Sequence, residues 1–450
     1  MKTLDGGLEK DTIAAIATPS GRGGVSIIRV SGPEARSIAD QITEKSLQTR
    51  TLTISQFRDV KGNIIDEGLT LVFNSPASYT GEDVAEFHGH GGVVVTQLLL
   101  QACLDRGARM ARPGEFSERA FLNNKIDLTQ AESLADLIDA RTEQAARQAS
   151  ASLRGVFSAA VNALNEKVVA LRAYVEAAID FPEEDLPADI LKKIGIKSQN
   201  IISEIEENLN DKKVGEIIRE GFRIAIIGPP NVGKSSLLNY LSNRDVAIVS
   251  STAGTTRDVI ETHLNIEGFP VIISDTAGIR DARNEIERKG IKLSLKKADE
   301  SDLNIIMIEA KSKENQRFLD SYASDKALLV VNKVDSKSNR ISSKLKKLNP
   351  ILLSIKKQKN INKLINSIKQ KIKNQFKGSE NILITRERHR KNLEDCLINL
   401  KKFNTKKKVG DFDKAAEDLR LATRSLGKIT GKVDVEDILD SIFNDFCIGK

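Results

Sequence analysis

Cysteine is scarce in this chain: Cys103, Cys396 and Cys447 are three in 450 residues. They lie far apart and none sits in a CxxC spacing, which argues against a disulfide framework and a cysteine-based zinc site and fits a reducing compartment. Also lacking is any apolar stretch near the roughly 18 residues that a membrane-spanning helix needs. The opening residues, MKTLDGGLEKDT, place acidic and polar side chains where a signal peptide carries an apolar run. A soluble, cytoplasmic protein with no membrane partner is expected. No internal repeat is visible. What is present suffices for several cores: 40% of residues are hydrophobic and 29% charged, and a length prior of roughly 150 residues per domain gives about three domains. The formal charge of +7 leans toward an anionic partner, although dispersed lysine also describes an ordinary solvated surface.

The chain has three textures. From residue 11 to about 120, short apolar runs alternate with glycine turns, as in TIAAIATPSGRGGVSIIRVSG, which reads as a mixed α/β domain. From about 126, IDLTQAESLADLIDARTEQAARQASASLRGVF has apolar residues at helical spacing without proline, and helical character continues to Pro182 and through ILKKIGIKSQNIISEIEENL. At Gly221 an alternating strand and helix pattern begins and runs to about residue 378. Helices return from Arg386 to the tail. Helices on both sides of an α/β block read as one domain inserted into another.

The inserted block carries the chemistry. FRIAIIGPPNVGKSSLLNYL contains G-x-x-x-x-G-K-S from Gly228 to Ser235, after an apolar strand and before a helix, the context that a phosphate-binding loop requires. Backbone N–H groups wrap a phosphate chain there, Lys234 bridges the outer phosphates and Ser235 can hold Mg²⁺. Asp275-Thr276-Ala277-Gly278 follows the strand VIIS, and Asn332-Lys333-Val334-Asp335 follows ALLVV. Asp275 can reach the Mg²⁺ shell and the Gly278 amide can sense a γ-phosphate. Asp335 accepts two N–H donors that guanine has and adenine lacks, which selects GTP over ATP. The GTP-binding set is therefore Asn231, Val232, Gly233, Lys234, Ser235 and Ser236; Ser250, Ser251, Thr252, Ala253, Gly254, Thr255 and Thr256; Asp275, Thr276, Ala277 and Gly278; Asn332, Lys333 and Asp335; and Ser354, Ile355 and Lys356.

Hydrolysis needs a residue other than the usual glutamine. The residue after Gly278 is Ile279, an aliphatic side chain that cannot orient water. Asn231 offers an amide oxygen beside the phosphates, and SSTAGTTRD, Ser250 to Asp258, offers carbonyls and threonine hydroxyls. A monovalent cation held there would supply the charge that an arginine finger supplies elsewhere. Asp281, Glu285 and Glu287 are the candidates for orienting water.

The segments DTIAAIATPSGRGGVSIIRVSG, YTGEDVAEFHGHGG, RPGEFSERAFLNNKIDLTQAESLADLIDA, GPPNVGKSSLLN, AGTTRD, DTAGIRD and the terminal FCIGK together resemble the MnmE (TrmE) family of tRNA modification GTPases, from Asp11 to Lys450. The resemblance implies an α/β plus all-α fold: an N-terminal α+β folate-binding and dimerisation domain (1–122), a helical domain (123–218 and 380–450) and a Ras-like P-loop GTPase domain inserted in it (219–379). It also implies a homodimeric K⁺-dependent GTPase, activated by G-domain dimerisation. Such an enzyme works with the FAD- and NADH-dependent partner MnmG, as a heterotetramer, to add a carboxymethylaminomethyl or aminomethyl group at C5 of a tRNA wobble uridine. The one-carbon unit comes from 5-formyl-tetrahydrofolate or another one-carbon tetrahydrofolate. By position, K⁺ falls to Asn231, Ser250, Thr252 and Thr255, and Mg²⁺ to Ser235 and Thr256. Glu287 becomes the water-orienting residue beside Lys234. Arg29, Glu86, Lys125 and Lys450 become the folate site, with Cys447 as a candidate thiol in the reaction. Their chemistry suits a pterin, whose N–H donors seek a carboxylate and whose carbonyls and glutamate tail seek cations.

Two features depart from the pattern or test it. Ile355 stands between Ser354 and Lys356 where a small residue is usual, and its branched side chain threatens to crowd the base. His88 and His90 form an HxH pair, but no third ligand at suitable spacing accompanies it, so a turn lining the folate pocket is expected. FCIGK is a poor lipidation box, because Cys-Ile-Gly-Lys ends in lysine and has no second membrane signal. The P-loop and AGTTRD alone would suit a ribosome-assembly GTPase without one-carbon chemistry, or a folate-binding regulatory GTPase. The N-terminal domain and the tail distinguish the modification enzyme from the assembly factor.

Overall fold

The structure is a computed structural model. It describes residues 11–180, 190–243, 261–275, 298–310, 319, 326–335, 343–376, 384–409, 412–433, 436–444, 446 and 448–449. The chain forms two compact units, Met1–Ala135 with Leu153–Val169 and Thr423–Lys450, and Asp136–Ser152 with Ala170–Ala422.

The first unit is organised by a six-stranded sheet of β1 (Ile13–Ile16), β2 (Ser26–Ser31), β3 (Thr53–Arg58), β4 (Ile64–Phe73), β5 (Val84–Gly89) and β6 (Arg109–Met110). Its order is β3-β4-β5-β2-β1-β6. All neighbours are antiparallel except β1 and β6. Period-two alternation decides what each face does. On one face Ile28 and Val30 stand opposite Phe87 and Ala85. Helices Ala35–Thr43 and Val93–Leu104 add Ile38, Ile42 and Leu99 to the same core. Phe57 meets Phe87 edge to face at 5.6 Å, a pairing worth about 1 kcal/mol beyond its area. The other face of the same strands carries Arg29 directly across from Glu86, beside Ile13 and Ala15, which pack with Ala111 and Phe116.

Phe116 belongs to the helix Glu115–Leu122, and a cluster of charges fixes that helix. Glu115 accepts from Arg109 and Arg119 and from the Arg112 N–H, while Arg119 also reaches Asp11 and Glu82. Arg119 and Glu115 are 3% and 2% exposed, so their charges persist only because each meets several partners. Burial opposes the Glu115 charge, but the hydrogen bonds from Arg109, the Arg112 N–H and Arg119 outweigh it and bring its carboxyl to about 2. The chain's last helix, Glu436–Phe443, belongs to this unit, with Phe443 packed against Phe121 and Phe446.

The second unit contains a sheet of β7 (Phe222–Ile227), β8 (Glu261–Ile266), β9 (Phe269–Asp275), β10 (Leu303–Glu309), β11 (Ala327–Asn332) and β12 (Ile351–Leu352). The order is β12-β11-β10-β7-β9-β8, parallel except for β8. Strands buried on both faces read as continuous apolar runs, as FRIAII and LNIIMIE do. Helix Ile361–Gln375 buries Ile361, Leu364, Ile368 and Ile372 along one stripe, the face that its spacing predicts. Two of its lysines, Lys369 and Lys373, pair with Glu267. Helices Ile190–Leu209 and Glu387–Val409 lie side by side. Arg390 of the latter holds Glu216 through both carboxylate oxygens and also Asp211. Asp136 receives Arg219 and Arg386 together. These pairs secure helix Val214–Glu220, which leads directly into β7.

Replacing Arg119 by Met should destabilise the protein by about 3 kcal/mol, because removing one member of a buried ionic cluster leaves the others unpaired. Urea denaturation of the two proteins measures this; a loss below about 1 kcal/mol would show that Arg119 does not hold the helix.

Candidate functional site

Between β7 and helix Lys234–Ser242 lies the loop Gly228–Gly233. Gly228 has φ +156° and a Cβ there would stand 2.0 Å from the Met307 carbonyl oxygen, so only glycine lets the loop pass this close to β10. Asn231 is also left-handed, at φ 60°. Lys234, 6% exposed, folds back so that Nζ donates to the Gly228 and Pro229 carbonyls at 2.8 and 2.9 Å. A cation at the centre of a turn followed by a helix N-terminus suits an anionic phosphate chain.

Asn332 holds this loop from the far side. It is buried at the end of β11; its Nδ2 donates to the Val232 carbonyl at 2.8 Å and its Oδ1 accepts the Ile355 N–H at 3.2 Å. One amide thus ties together the phosphate loop, the Asn332–Asp335 turn and the Ser354–Lys356 turn. Lys333 adds a second tie, from Nζ to the Asn231 carbonyl at 2.8 Å, and pairs with Glu309. The exposed Asp335 hydrogen-bonds Ser354, and that bond, aided by its own backbone N–H and the charges of Lys357 and Lys356, holds its carboxyl below the usual range. It therefore stays an ionised acceptor at neutral pH, which is what a guanine edge with two N–H donors needs. The Ile355 side chain is partly buried and packs against the sheet core, and its N–H engages Asn332.

Ser235 and Ser236 are exposed on the first turn after the loop. The backbone of Asp275 ends β9, while its side chain lies outside the described residues. So do Ser250, Ser251, Thr252, Ala253, Gly254, Thr255, Thr256, Thr276, Ala277, Gly278 and Glu287, and so do Cys447 and Lys450 at the tail.

In the first unit the structure brings Arg29, Glu86 and the tail together. Arg29 Nε donates to Glu86 Oε1 at 2.8 Å and one terminal nitrogen to the Gly449 carbonyl at 3.4 Å. Gly449 has φ +97° and its Cβ position would fall 2.3 Å from the Ile16 carbonyl oxygen. Only glycine allows the tail to lie on the end of β1; Ile448 forms a bridge with Pro113 just before it. No local pattern singles out Tyr79 and Phe116, yet their rings flank the Arg29 guanidinium at 5.3 and 5.7 Å. Tyr79 is held by a 2.8 Å hydrogen bond to Ser117. An acceptor, a cation and an aromatic face on one patch fit a flat heterocycle bearing N–H donors. Lys125 is exposed and donates to the Pro76 carbonyl at 2.9 Å, in the same β4–β5 loop that carries Tyr79.

The two histidines have separate partners. His88 faces Glu86, whereas His90 Nδ1 and its backbone N–H both engage Asp66, at 2.8 and 2.7 Å. Among the described residues no group of three or more His, Cys, Asp or Glu side chains could hold a metal ion, and no helix is long and apolar enough to cross a membrane. Cys103 and Cys396 are buried, and burial pushes each thiol up to about 12, so neither is a nucleophile near neutral pH.

Comparison with known proteins places this chain beside one family. The family described as "GTP-binding protein TrmE N-terminus" matches residues 12–125, and the one described as "MnmE helical domain" matches residues 128–447. The tRNA modification GTPase MnmE of Pelagibacter ubique (strain HTCC1062) is 54% identical over 442 residues, covering 98% of this chain and all of that protein. Those of Histophilus somni (strain 129Pt) and Coxiella burnetii (strain RSA 493 / Nine Mile phase I) are 44% and 43% identical, again over 98% of this chain and 100% and 99% of theirs.

Replacing Asn332 by Ala removes two buried hydrogen bonds of roughly 1 kcal/mol each, so guanosine nucleotides should bind about 30-fold more weakly. Titration with a fluorescent GDP measures this; unchanged affinity would show that the loops do not need the tie.

Proposed function

The chain belongs to the MnmE (TrmE) family of tRNA modification GTPases, and from that premise we propose that it is the GTP-hydrolysing component of a complex that modifies C5 of tRNA wobble uridines with a one-carbon unit carried on a folate. The observation that carries the reading is the Arg29–Glu86 pair with the Gly449 carbonyl on the same guanidinium. A ribosome-assembly GTPase has no use for this patch of acceptor, cation and aromatic face.

In this reading residues 1–122 bind the folate and another copy of the chain, 123–218 with 380–450 form the helical domain, and 219–379 form the inserted G domain. Glu86 accepts pterin N–H donors, Arg29 is held beside it by the Tyr79 and Phe116 rings, and Lys125 and Lys450 supply positive charge to the folate's carbonyls and glutamate tail. Cys447, two positions before Gly449 in the chain, is the candidate thiol. The FAD- and NADH-dependent protein MnmG is the partner, and tRNA the substrate.

In the G domain, Lys234 neutralises the outer phosphates and Asp335 reads guanine. Ser235 and Thr256 would hold Mg²⁺, which shields charge on the phosphate oxygens. Asn231, Ser250, Thr252 and Thr255 would hold K⁺, which supplies the positive charge of an arginine finger. Support for this role of Asn231 is that it is exposed in the phosphate loop, with its backbone carbonyl accepting from Lys333. Ile279 cannot orient water; the family resemblance gives that role to Glu287, and pairing of two G domains completes the site.

Deletion of the gene should remove C5-substituted wobble uridines from tRNA, read by mass spectrometry of digested nucleosides; their persistence would overturn the reading. GTP turnover by the purified protein should be at least about tenfold faster in K⁺ than in Na⁺, and equal rates would remove the cation role of Asn231.

A further inference from the structure

The carboxylate of Glu86 is gripped from two sides. Arg29 Nε donates to Oε1 at 2.8 Å, and His88 Nε2 stands 3.3 Å from Oε2. Glu86 and His88 are two residues apart on β5, so period-two alternation sends both side chains to the Arg29 face of the sheet. The three are partly shielded, with side-chain exposures of 20% for Arg29, 17% for Glu86 and 24% for His88. The ring is therefore sheltered enough for its hydrogen bond to count and open enough to border a ligand.

The neighbouring geometry keeps this strand end in place. Gly89 follows His88, and Asp66 of β4 clamps His90 through the ring and the backbone N–H. His90 is thereby committed to Asp66, leaving His88 as the histidine that faces the Arg29–Glu86 pair. With Arg29 on one oxygen alone, the carboxylate would be free to rotate about its terminal torsion, which is broad. A donor on the second oxygen fixes the plane of the group and so the direction in which its remaining lone pairs meet a ligand's N–H groups.

We propose that His88 is a positioning residue for Glu86: its Nε2–H holds the carboxylate plane in the orientation that receives two parallel N–H donors of a pterin-like heterocycle. This rests on the reading of the patch as a folate site. His88 acts through Glu86, and the property that matters is a donor at the Nε2 position, which the amide of glutamine can reproduce and leucine cannot.

The test uses the full-length protein, with 5-formyl-tetrahydrofolate as probe in isothermal titration. His88→Leu should weaken binding about 5- to 10-fold, the loss of one charge-assisted hydrogen bond, and His88→Gln should return it to within about twofold of the parent. Circular dichroism and thermal unfolding of both variants should match the parent, which reports that the variants fold. Equal binding by the parent, the Leu and the Gln variant, with Glu86→Gln losing the ligand, would overturn the role of His88 and leave the folate reading standing. Equal losses in both His88 variants would also overturn it, because shape rather than the donor would then matter. A parent protein that does not bind the probe, or that binds it no better than Glu86→Gln, would overturn the folate reading itself.

Discussion

The first unit depends on the pairing of Glu115 with Arg109 and Arg119. Glu115 begins the helix that carries Phe116 and Ser117, and through Arg119 the same cluster reaches Asp11, beside β1, and Glu82, just before β5. Charges this buried are costly alone, and the cost is offset only when every member keeps its partners. The cluster therefore behaves as an all-or-none clasp on the face of the sheet that presents Arg29 and Glu86. Phe116 under the guanidinium and Ser117 on the Tyr79 hydroxyl are the ends of that clasp. The sheet's opposite face is mainly apolar, built on Ile28, Val30, Phe57 and Phe87.

The nucleotide site in the second unit uses the same economy with an uncharged group. Asn332 has one donor and one acceptor in use, and each belongs to a different loop. Backbone carbonyls and amides buried at loop junctions need partners, and a side-chain amide can serve one of each. That explains why asparagine, with both functions at one end of a short arm, occupies this position. Asp335, three residues on, is exposed and does the opposite job: it is oriented by Ser354 and left open toward solvent, where a base can reach it.

Much of this architecture is legible in local pattern. β7, β9 and β11 can be read from the apolar runs FRIAII, VIIS and ALLVV, because burial on two faces leaves a largely apolar stretch. The phosphate loop is legible for a different reason: glycine at Gly228 answers a steric demand that no other residue meets. Tyr79 and Phe116 were not legible. Aromatic residues in a loop and on a short helix are ordinary core material until the fold puts both rings against one guanidinium, and no spacing rule connects positions 29, 79 and 116.

The sequence by itself determined the identity of the nucleotide site, since GxxxxGKS and NKVD are local chains of donors and acceptors whose order is their chemistry. It also determined the helical and strand periods and the family resemblance. Tertiary structure alone decided that the tail, more than 400 residues from Arg29, lies on the end of β1 with a carbonyl against that guanidinium. It also decided that His88 and His90, two residues apart, serve different carboxylates, and that the partly buried Ile355 packs against the core while its N–H meets Asn332. Each of these depends on distances across the fold, which pairing register and packing set and which neighbouring residues in the chain do not encode.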